Sequence, residues 1–200
     1  MTAYSYALST LRTELRSLLN EVTASFWTDA RLTAFINDAV EDIATKSGCI
    51  RSIEAVTTTT LTRLVTFTGY KCVGVEYNKI ALIKIYPLQA GHVPIDGATP
   101  QYWFEHGATI GIEPVPPGEY ALTLYTLTVP TAMSADGNTP SIPYAFCHLI
   151  IPYALSLALQ EDKKFEAANM MMEIYTKELA FVTMNIVPNI PDGEENLRIR

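Results

Sequence analysis

Hydrophobic residues recur at helical spacing in two stretches near the start of the chain. The first, 8–22, places a leucine or valine every three or four residues with arginines and glutamates between them, a pattern that predicts an amphipathic helix. The second, 28–47, carries clear end signals: Thr28 suits an N-cap, Asp29 suits the positive end of the helix dipole, and Gly48 ends the helix. Because the connection is short, we expect the two helices to pack as an antiparallel hairpin.

One polar residue lies beside the apolar stripe of the second helix. Asn37 follows Ile36, and a partly buried amide must find partners for its donors and its acceptor. Two interpretations are open, a structural amide that ties two helices together and an amide that binds a ligand. The pattern favours the structural one.

From residue 50 the hydrophobic periodicity changes from that of helices to that of strands. This segment is rich in Val, Ile, Thr and Tyr, which favour strands. Strands are predicted over 52–60, 63–68, 71–86, 101–105, 108–113 and 119–129. Turn residues separate them, as at His106–Gly107 and at Pro116–Gly118. We therefore expect a small antiparallel sheet within a β insertion at 50–130.

The chain becomes helical again after the proline-rich loop 130–140. Helices are predicted over 143–160 and 162–184, and Pro152 is expected to kink the first of them. That first helix is almost wholly apolar and approaches the length of a membrane span. It also contains His148 and two prolines, so a buried central helix with His148 as a core residue and Leu155 in the core is favoured over a membrane span.

The last residues, 185–200, contain Pro188, Pro191 and Gly193 and lack periodicity, which predicts an extended arm. Apolar residues and two arginines in it are candidate contacts to a neighbouring subunit or another partner: Ile186, Val187, Ile190, Leu197, Arg198, Ile199 and Arg200. The fold class predicted is α+β. A single domain at 1–184 would combine a bundle of helices from both ends of the chain with the β insertion, followed by the arm.

Charge and cysteine content exclude several functions. The formal net charge is −7 and no segment forms a basic face, so attraction to nucleic acid or anionic lipid is not expected. Three cysteines lie far apart without zinc-ligand spacing, which fits reduced thiols. The N-terminus has no basic region followed by an apolar core, so we do not expect secretion.

Catalytic signals are weak. The chain has no glycine-rich phosphate loop, no nucleophile elbow and no paired-histidine helix motif. Glu105, His106 and Glu113 would face each other across a 101–113 hairpin and could hold a metal ion, although ordinary turn-flanking polar residues explain them better. We expect no catalytic, metal or cofactor site.

Three successive methionines, Met170, Met171 and Met172, lie in the last predicted helix. Three neighbouring positions cannot all point to one buried stripe, so at least one must face a neighbour or water. Thioether side chains adapt to irregular partners. The cluster is therefore a candidate subunit interface.

Several segments, in this order, resemble tailed-phage head-to-tail adaptor proteins, the connector subunits beneath the portal. They are FWTDARLTAFINDAV at 26–40, TIGIEPVPPGEYALTLY at 109–125, TVPTAMS at 128–134, and IPYAF at 142–146 leading into a long helix pair. The resemblance covers most of the chain and is least at the arm. The order of the segments supports the resemblance, because each segment alone is of a kind common in unrelated proteins.

The resemblance implies a non-catalytic virion protein of the head-tail neck, assembled in the host cytoplasm. It implies a homo-oligomeric ring of twelve subunits that joins portal to tail or nozzle proteins and surrounds the channel through which double-stranded DNA passes. Two alternatives stay open: another neck or tail-completion protein, and a small-ligand-binding or metal-dependent α+β protein. Binding to purified portal or to purified tail distinguishes an adaptor from another neck or tail-completion protein. Thermal-shift screening with metals and nucleotides tests for a small-ligand-binding or metal-dependent protein.

Overall fold

A computed structural model describes residues 5–21, 26–59, 63–92 and 99–186. These residues form two compact units, a helical unit from residues up to 50 and from 129–186, and a β unit from 51–128. The fold is α+β, as predicted, with the β unit inserted between helices from the two ends of the chain. Residues 187–200 lie outside the described residues, and with them most of the predicted arm.

Within the described residues the helical unit contains four α-helices: α1 Leu8–Leu18, α2 Asp29–Ser47, α3 Ile150–Glu161 and α4 Phe165–Ile186. A 3-10 segment, Tyr144–Leu149, directly precedes α3. Side chains from all these elements share one core, which includes Leu11, Leu15, Ile36, Ile43, Phe146, Ile150, Ala154, Tyr175 and Leu179. Arg16 donates to Asp29 across 2.8 Å, which brings the end of α1 beside the start of α2.

The ends of α2 are those predicted from its sequence. The hydroxyl of Thr28 accepts a hydrogen bond from the Arg31 N–H, so Thr28 is the N-cap of α2, as predicted. At the other end Gly48 adopts a left-handed conformation with φ 60°, and its N–H donates to the Ala44 carbonyl. Local chemistry alone fixes where this helix begins and ends.

The other helices differ from prediction at their ends. Helix α1 ends at Leu18, not at 22, because Asn20 takes a left-handed conformation at φ 56°. Helix α4 begins at Phe165, since Lys163 turns the chain with φ 61°. It continues to Ile186, two residues beyond the predicted end. Pro152 lies in the first turn of α3 rather than inside a 143–160 helix, a place where its missing N–H costs no intrahelical bond.

Eight strands lie in the part of the β unit that the structure describes: β1 Arg51–Thr57, β2 Leu64–Thr66, β3 Lys71–Tyr77, β4 Ile80–Ala81, β5 Ile83–Lys84, β6 Tyr102–His106, β7 Thr109–Glu113 and β8 Ala121–Leu127. They form two four-stranded sheets, in the orders β1-β8-β3-β4 and β2-β7-β6-β5. The sequence predicts one small antiparallel sheet; the structure differs in having a second sheet, in which β5 pairs with β6 in parallel. Both sheets contribute to one core that includes Val75, Leu82, Trp103, Ile110, Ile112, Leu122 and Leu124.

The split between the sheets occurs inside the predicted strand 71–86. Asn78 and Lys79 have positive φ values of 50° and 65° and form a tight turn between β3 and β4. The chain then changes partners at Leu82. Its N–H donates to the Val75 carbonyl of the first sheet, and the next N–H, of Ile83, donates to Gln101 beside the second sheet. One short segment therefore forms an edge of both sheets.

Candidate functional site

The amide of Asn37 holds a loop, not a helix. Its Nδ2 donates to the Met133 carbonyl at 3.0 Å, and the Met133 N–H donates to its Oδ1 at 2.9 Å. The two bonds copy the pairing of a β-ladder, and the Met133 side chain is buried in the helical core. The structural interpretation is therefore supported, but the amide ties α2 to the loop after the β unit rather than to another helix.

Further contacts fix the same loop, residues 130–140. The Asn138 side chain accepts from the N–H groups of Ser134 and Ala135, at 3.0 and 2.8 Å. The Asn138 carbonyl accepts from Leu8 at the start of α1, and Asp136 pairs with Arg12. Although its prolines exclude regular secondary structure, this loop is held by hydrogen bonds and an ion pair to both N-terminal helices.

The inner face of α4 is fixed by a buried tyrosine. Tyr175 is 1% exposed, and its hydroxyl donates to Asp42 of α2 at 2.5 Å. Lys46 also pairs with Asp42, at 2.9 Å, and the Tyr153 ring of α3 meets the Tyr175 ring edge-on at 4.9 Å. Burial and the bond to Asp42 raise the pKa of Tyr175. These contacts set which face of α4 points outward.

The outward face of α4 carries an exposed apolar stripe. Met170, Ile174, Phe181 and Met184 are 57, 42, 66 and 83% exposed. With Lys177 between them they recur at alternating steps of four and three residues, so they lie along one face. Lys177 pairs with Glu173 at 2.5 Å. We call these five residues the α4 stripe; the four-three spacing could have revealed it from the sequence.

The predicted interface residues fall in different surroundings. Met170 lies on the α4 stripe, whereas Met171 and Met172 are half-buried against the helical core. Ile186 ends α4 and is 46% exposed. The remaining arm residues proposed to bind a partner lie outside the described residues: Val187, Ile190, Leu197, Arg198, Ile199 and Arg200.

The possible metal ligands of the β6–β7 hairpin do not converge. The hairpin itself is as predicted, with His106 opposite Thr109. Glu113 is buried and pairs with Arg63, whereas Glu105 accepts a bond from the Cys72 N–H at 3.2 Å. Within the described ranges no group of three His, Cys, Asp or Glu side chains could hold a metal ion.

Other chemically active side chains have ordinary surroundings. Burial raises the pKa of the Cys72 and Cys147 thiols to about 11, so both are protonated at neutral pH and are weak nucleophiles. The sequence predicts that His148 is a core residue. Instead it lies at the surface, 3.8 Å from Glu178, because the 3-10 segment turns it away from the buried residues Cys147 and Leu149.

Among the helices that the structure describes, none is long and apolar enough to cross a membrane. A comparison with curated proteins finds no match. A family model described as SU10 adaptor protein matches residues 6–185. The match spans the helical unit, the inserted β unit and almost all of α4, and the chain therefore belongs to the SU10 adaptor protein family.

Proposed function

We propose that the protein is a head-to-tail adaptor of a tailed phage and forms a ring of twelve subunits beneath the portal. Its partners there are the portal protein on one side and tail or nozzle proteins on the other. Membership of an adaptor family supports the general role. The observation that carries the ring is the α4 stripe, which leaves large apolar side chains in water on a helix whose other face is buried.

The area of the α4 stripe supports an interface. Four side chains of this size and exposure present roughly 500 Å² of apolar surface, at the upper end of what a typical monomer shows in one patch. That is more than half of the roughly 800 Å² that each partner contributes to a standard interface. A patch that meets a different patch on the next copy generates a ring when the rotation closes.

The role is structural and needs no catalysis. Double-stranded DNA would pass through the ring without sequence-specific contact, and the net charge of −7 suits such a channel because an acidic lumen repels phosphates. The protein would act in the head-tail neck of the virion, after assembly in the host cytoplasm.

Mass photometry of the purified chain, alone and with purified portal, tests the ring. We expect a discrete species near twelve times the 22.1 kDa subunit mass, at least when portal is present. A serine variant of the stripe, Phe181→Ser, should shift the distribution toward monomer. The matched control is Phe165→Ser, since Phe165 lies on the same helix at a similar exposure of 61% but outside the stripe. A strictly monomeric mass at high concentration, unchanged by portal, contradicts the ring.

Removing the arm tests its role in attachment. Deletion of 187–200 leaves α4 complete, since the helix ends at Ile186. The melting temperature of the isolated subunit should stay nearly unchanged, while attachment to portal-containing particles should be lost. A chain with the same arm composition in scrambled order is the control. If the truncated chain still occupies portal-containing particles fully, the arm is not needed for attachment.

A further inference from the structure

An apolar hollow lies at the β4 edge of the first sheet of the β unit. Its volume is about 450 Å³, and its lining includes Tyr77, Ile80, Leu82 and Tyr102. Ile80 pairs with Tyr77 across the β3–β4 turn, so both side chains point to the face of the sheet that packs on the core. Ile80 is nevertheless 68% exposed, because in the described part of the chain no strand follows β4 in this sheet.

Backbone groups at this edge point outward as well. The Leu82 N–H donates to the Val75 carbonyl, and Ile80 pairs with Tyr77 of the same strand. Along an antiparallel ladder, residues bond alternately toward the neighbouring strand and away from it. The N–H and C=O of Ala81, between Ile80 and Leu82, therefore face the open side of β4, where another strand can bond to them.

The opposite edge of the same sheet is a long strand. β1 runs for seven residues in unbroken register with β8 and contains neither proline nor lysine, the residues that commonly protect an edge. The Thr58 N–H donates to the Tyr120 carbonyl just beyond β1, so by the same alternation the N–H and C=O of Ala55 point away from β8. The other edge strands that the structure describes, β2, β4 and β5, have only two or three residues.

The strand directions allow the sheet to continue from one copy to the next. Every pairing in the order β1-β8-β3-β4 is antiparallel, so β1 and β4 run in opposite directions. A second copy displaced across the sheet by a small rotation keeps its strand directions, and its β1 then meets β4 antiparallel. Such a join uses two different edges and is heterologous, which is the kind of contact that builds a ring.

We propose that β1 of one copy adds to β4 of the neighbouring copy in the ring. With Ala55 opposite Ala81, their outward groups form two hydrogen bonds, and the half-buried Val56 lies beside Ile80 on the core face. The α4 stripe supplies roughly 500 Å² of the roughly 800 Å² that each partner gives to a standard interface, and the strand pair adds to that area. This inference rests on the proposed ring.

Disulfide cross-linking of the full-length chain tests the pairing. In the proposed register, residues 56 and 80 face each other with Cα atoms about 4.5 Å apart, which a disulfide can bridge. Within one copy the two positions lie three strand spacings apart, about 14 Å, so the folded chain cannot form this bond with itself. Under portal-driven assembly and mild oxidation, the double variant Val56→Cys/Ile80→Cys should therefore give a ladder of covalent oligomers beyond the dimer.

Matched chains set the background. Each single variant carries one of the two introduced thiols and should give no ladder, and the parent chain reports on the native cysteines. The double variant Ile53→Cys/Ile80→Cys uses a β1 residue that points to the other face of the sheet and is 67% exposed. It should give about one fifth of the ladder yield or less, since residue 53 lies about 10 Å along the strand from residue 56.

Lysine substitution gives an independent test. Ile80→Lys places an ammonium group against Val56 of the next copy and should weaken assembly about tenfold. Ile53→Lys is the matched control, because Ile53 has nearly the same exposure in the same sheet but points to the opposite face. It should assemble like the parent, and both isolated variants should melt like the parent.

Several results overturn the proposal. Equal ladders from the two double variants, or intact rings without cross-links, show that β1 does not pair with β4 and leave the ring itself intact. A dimer from Val56→Cys alone shows that two β1 edges pair symmetrically. Equal assembly of Ile80→Lys and Ile53→Lys places β4 outside the interface. Absence of any ring in the parent chain overturns the proposed function as well.

Discussion

Replacing Asn37 tests whether one amide holds the loop that follows the β unit. Asn37→Ala removes both side-chain hydrogen bonds to Met133 and leaves the part-buried N–H and carbonyl of Met133 without their partner. The substitution removes only a few atoms from a half-buried position. Its effect therefore reports mainly on the two hydrogen bonds.

The expected loss in the free energy of unfolding follows from these two hydrogen bonds. Each net hydrogen bond of this kind stabilises the fold by about 1 to 1.5 kcal/mol, and more when the abandoned group stays buried. Alanine is the better helix former by roughly half a kcal/mol. The free energy of unfolding should thus fall by about 2 kcal/mol, which for a chain of this size lowers Tm by about 4 to 8 °C.

Thermal unfolding followed by circular dichroism measures the change. The matched control is Asn169→Ala, because Asn169 lies exposed on α4 and its replacement should be neutral or slightly stabilising. Asn37→Asp separates the two bonds: the carboxylate still accepts from the Met133 N–H but meets the Met133 carbonyl as a second acceptor. That variant should be destabilised at neutral pH and recover as acid protonates the carboxylate.

Asn37 does not hold the loop if Asn37→Ala melts within about 1 °C of the parent chain. The same conclusion follows if the stability of Asn37→Asp relative to the parent chain does not change between neutral and acid pH. Either result would mean that water or a shifted loop replaces the amide at little cost.

Three other predictions concern the packing of each unit. Leu155→Ala should lower the free energy of unfolding by about 2 to 5 kcal/mol, because Leu155 is buried in the helical core; urea denaturation measures it. Tyr175→Phe should cost about 1 to 3 kcal/mol by removing the donor to Asp42. Because the pKa of Tyr175 is raised above its ordinary 10.0, this stability is present below pH 10 and lost as pH rises further, so the parent and Tyr175→Phe should converge in alkaline melts. Gly111→Ala should destabilise the β unit by about 1 to 3 kcal/mol, since a Cβ there would lie 2.0 Å from the Phe104 ring; near-ultraviolet circular dichroism on heating measures it.

Each of these three has a matched control at a similar residue. Leu18→Ala changes an exposed leucine of α1 and should alter stability by well under 1 kcal/mol. Tyr102→Phe changes a half-buried tyrosine of β6 and should leave the alkaline melt unaltered. Gly118→Ala adds a Cβ with nothing within 4 Å and should be tolerated. Equal losses in a variant and its control would refute the packing argument for that position.

The α+β fold class and the position of the β insertion were predictable because they depend on hydrophobic period, which the backbone geometry of helices and strands imposes locally. The ends of α2 were predictable for a similar reason. Thr28 and Gly48 act on backbone groups within four residues of themselves, so no distant partner is needed. The same holds for the turn at His106–Gly107, where the paired strands are neighbours in the chain.

Tertiary structure decided the features that depend on partners far away in the chain. Asn37 meets Met133 across 96 positions, and Tyr175 reaches Asp42 across 133, separations at which periodicity carries no information. The predicted strand 71–86 contains the pattern for one strand, yet its two ends bond to different sheets. Helix α4 shows the limit most directly: two stripes of its sequence are apolar, and only the packing of Tyr175 against α2 and α3 determines which of them is left in water.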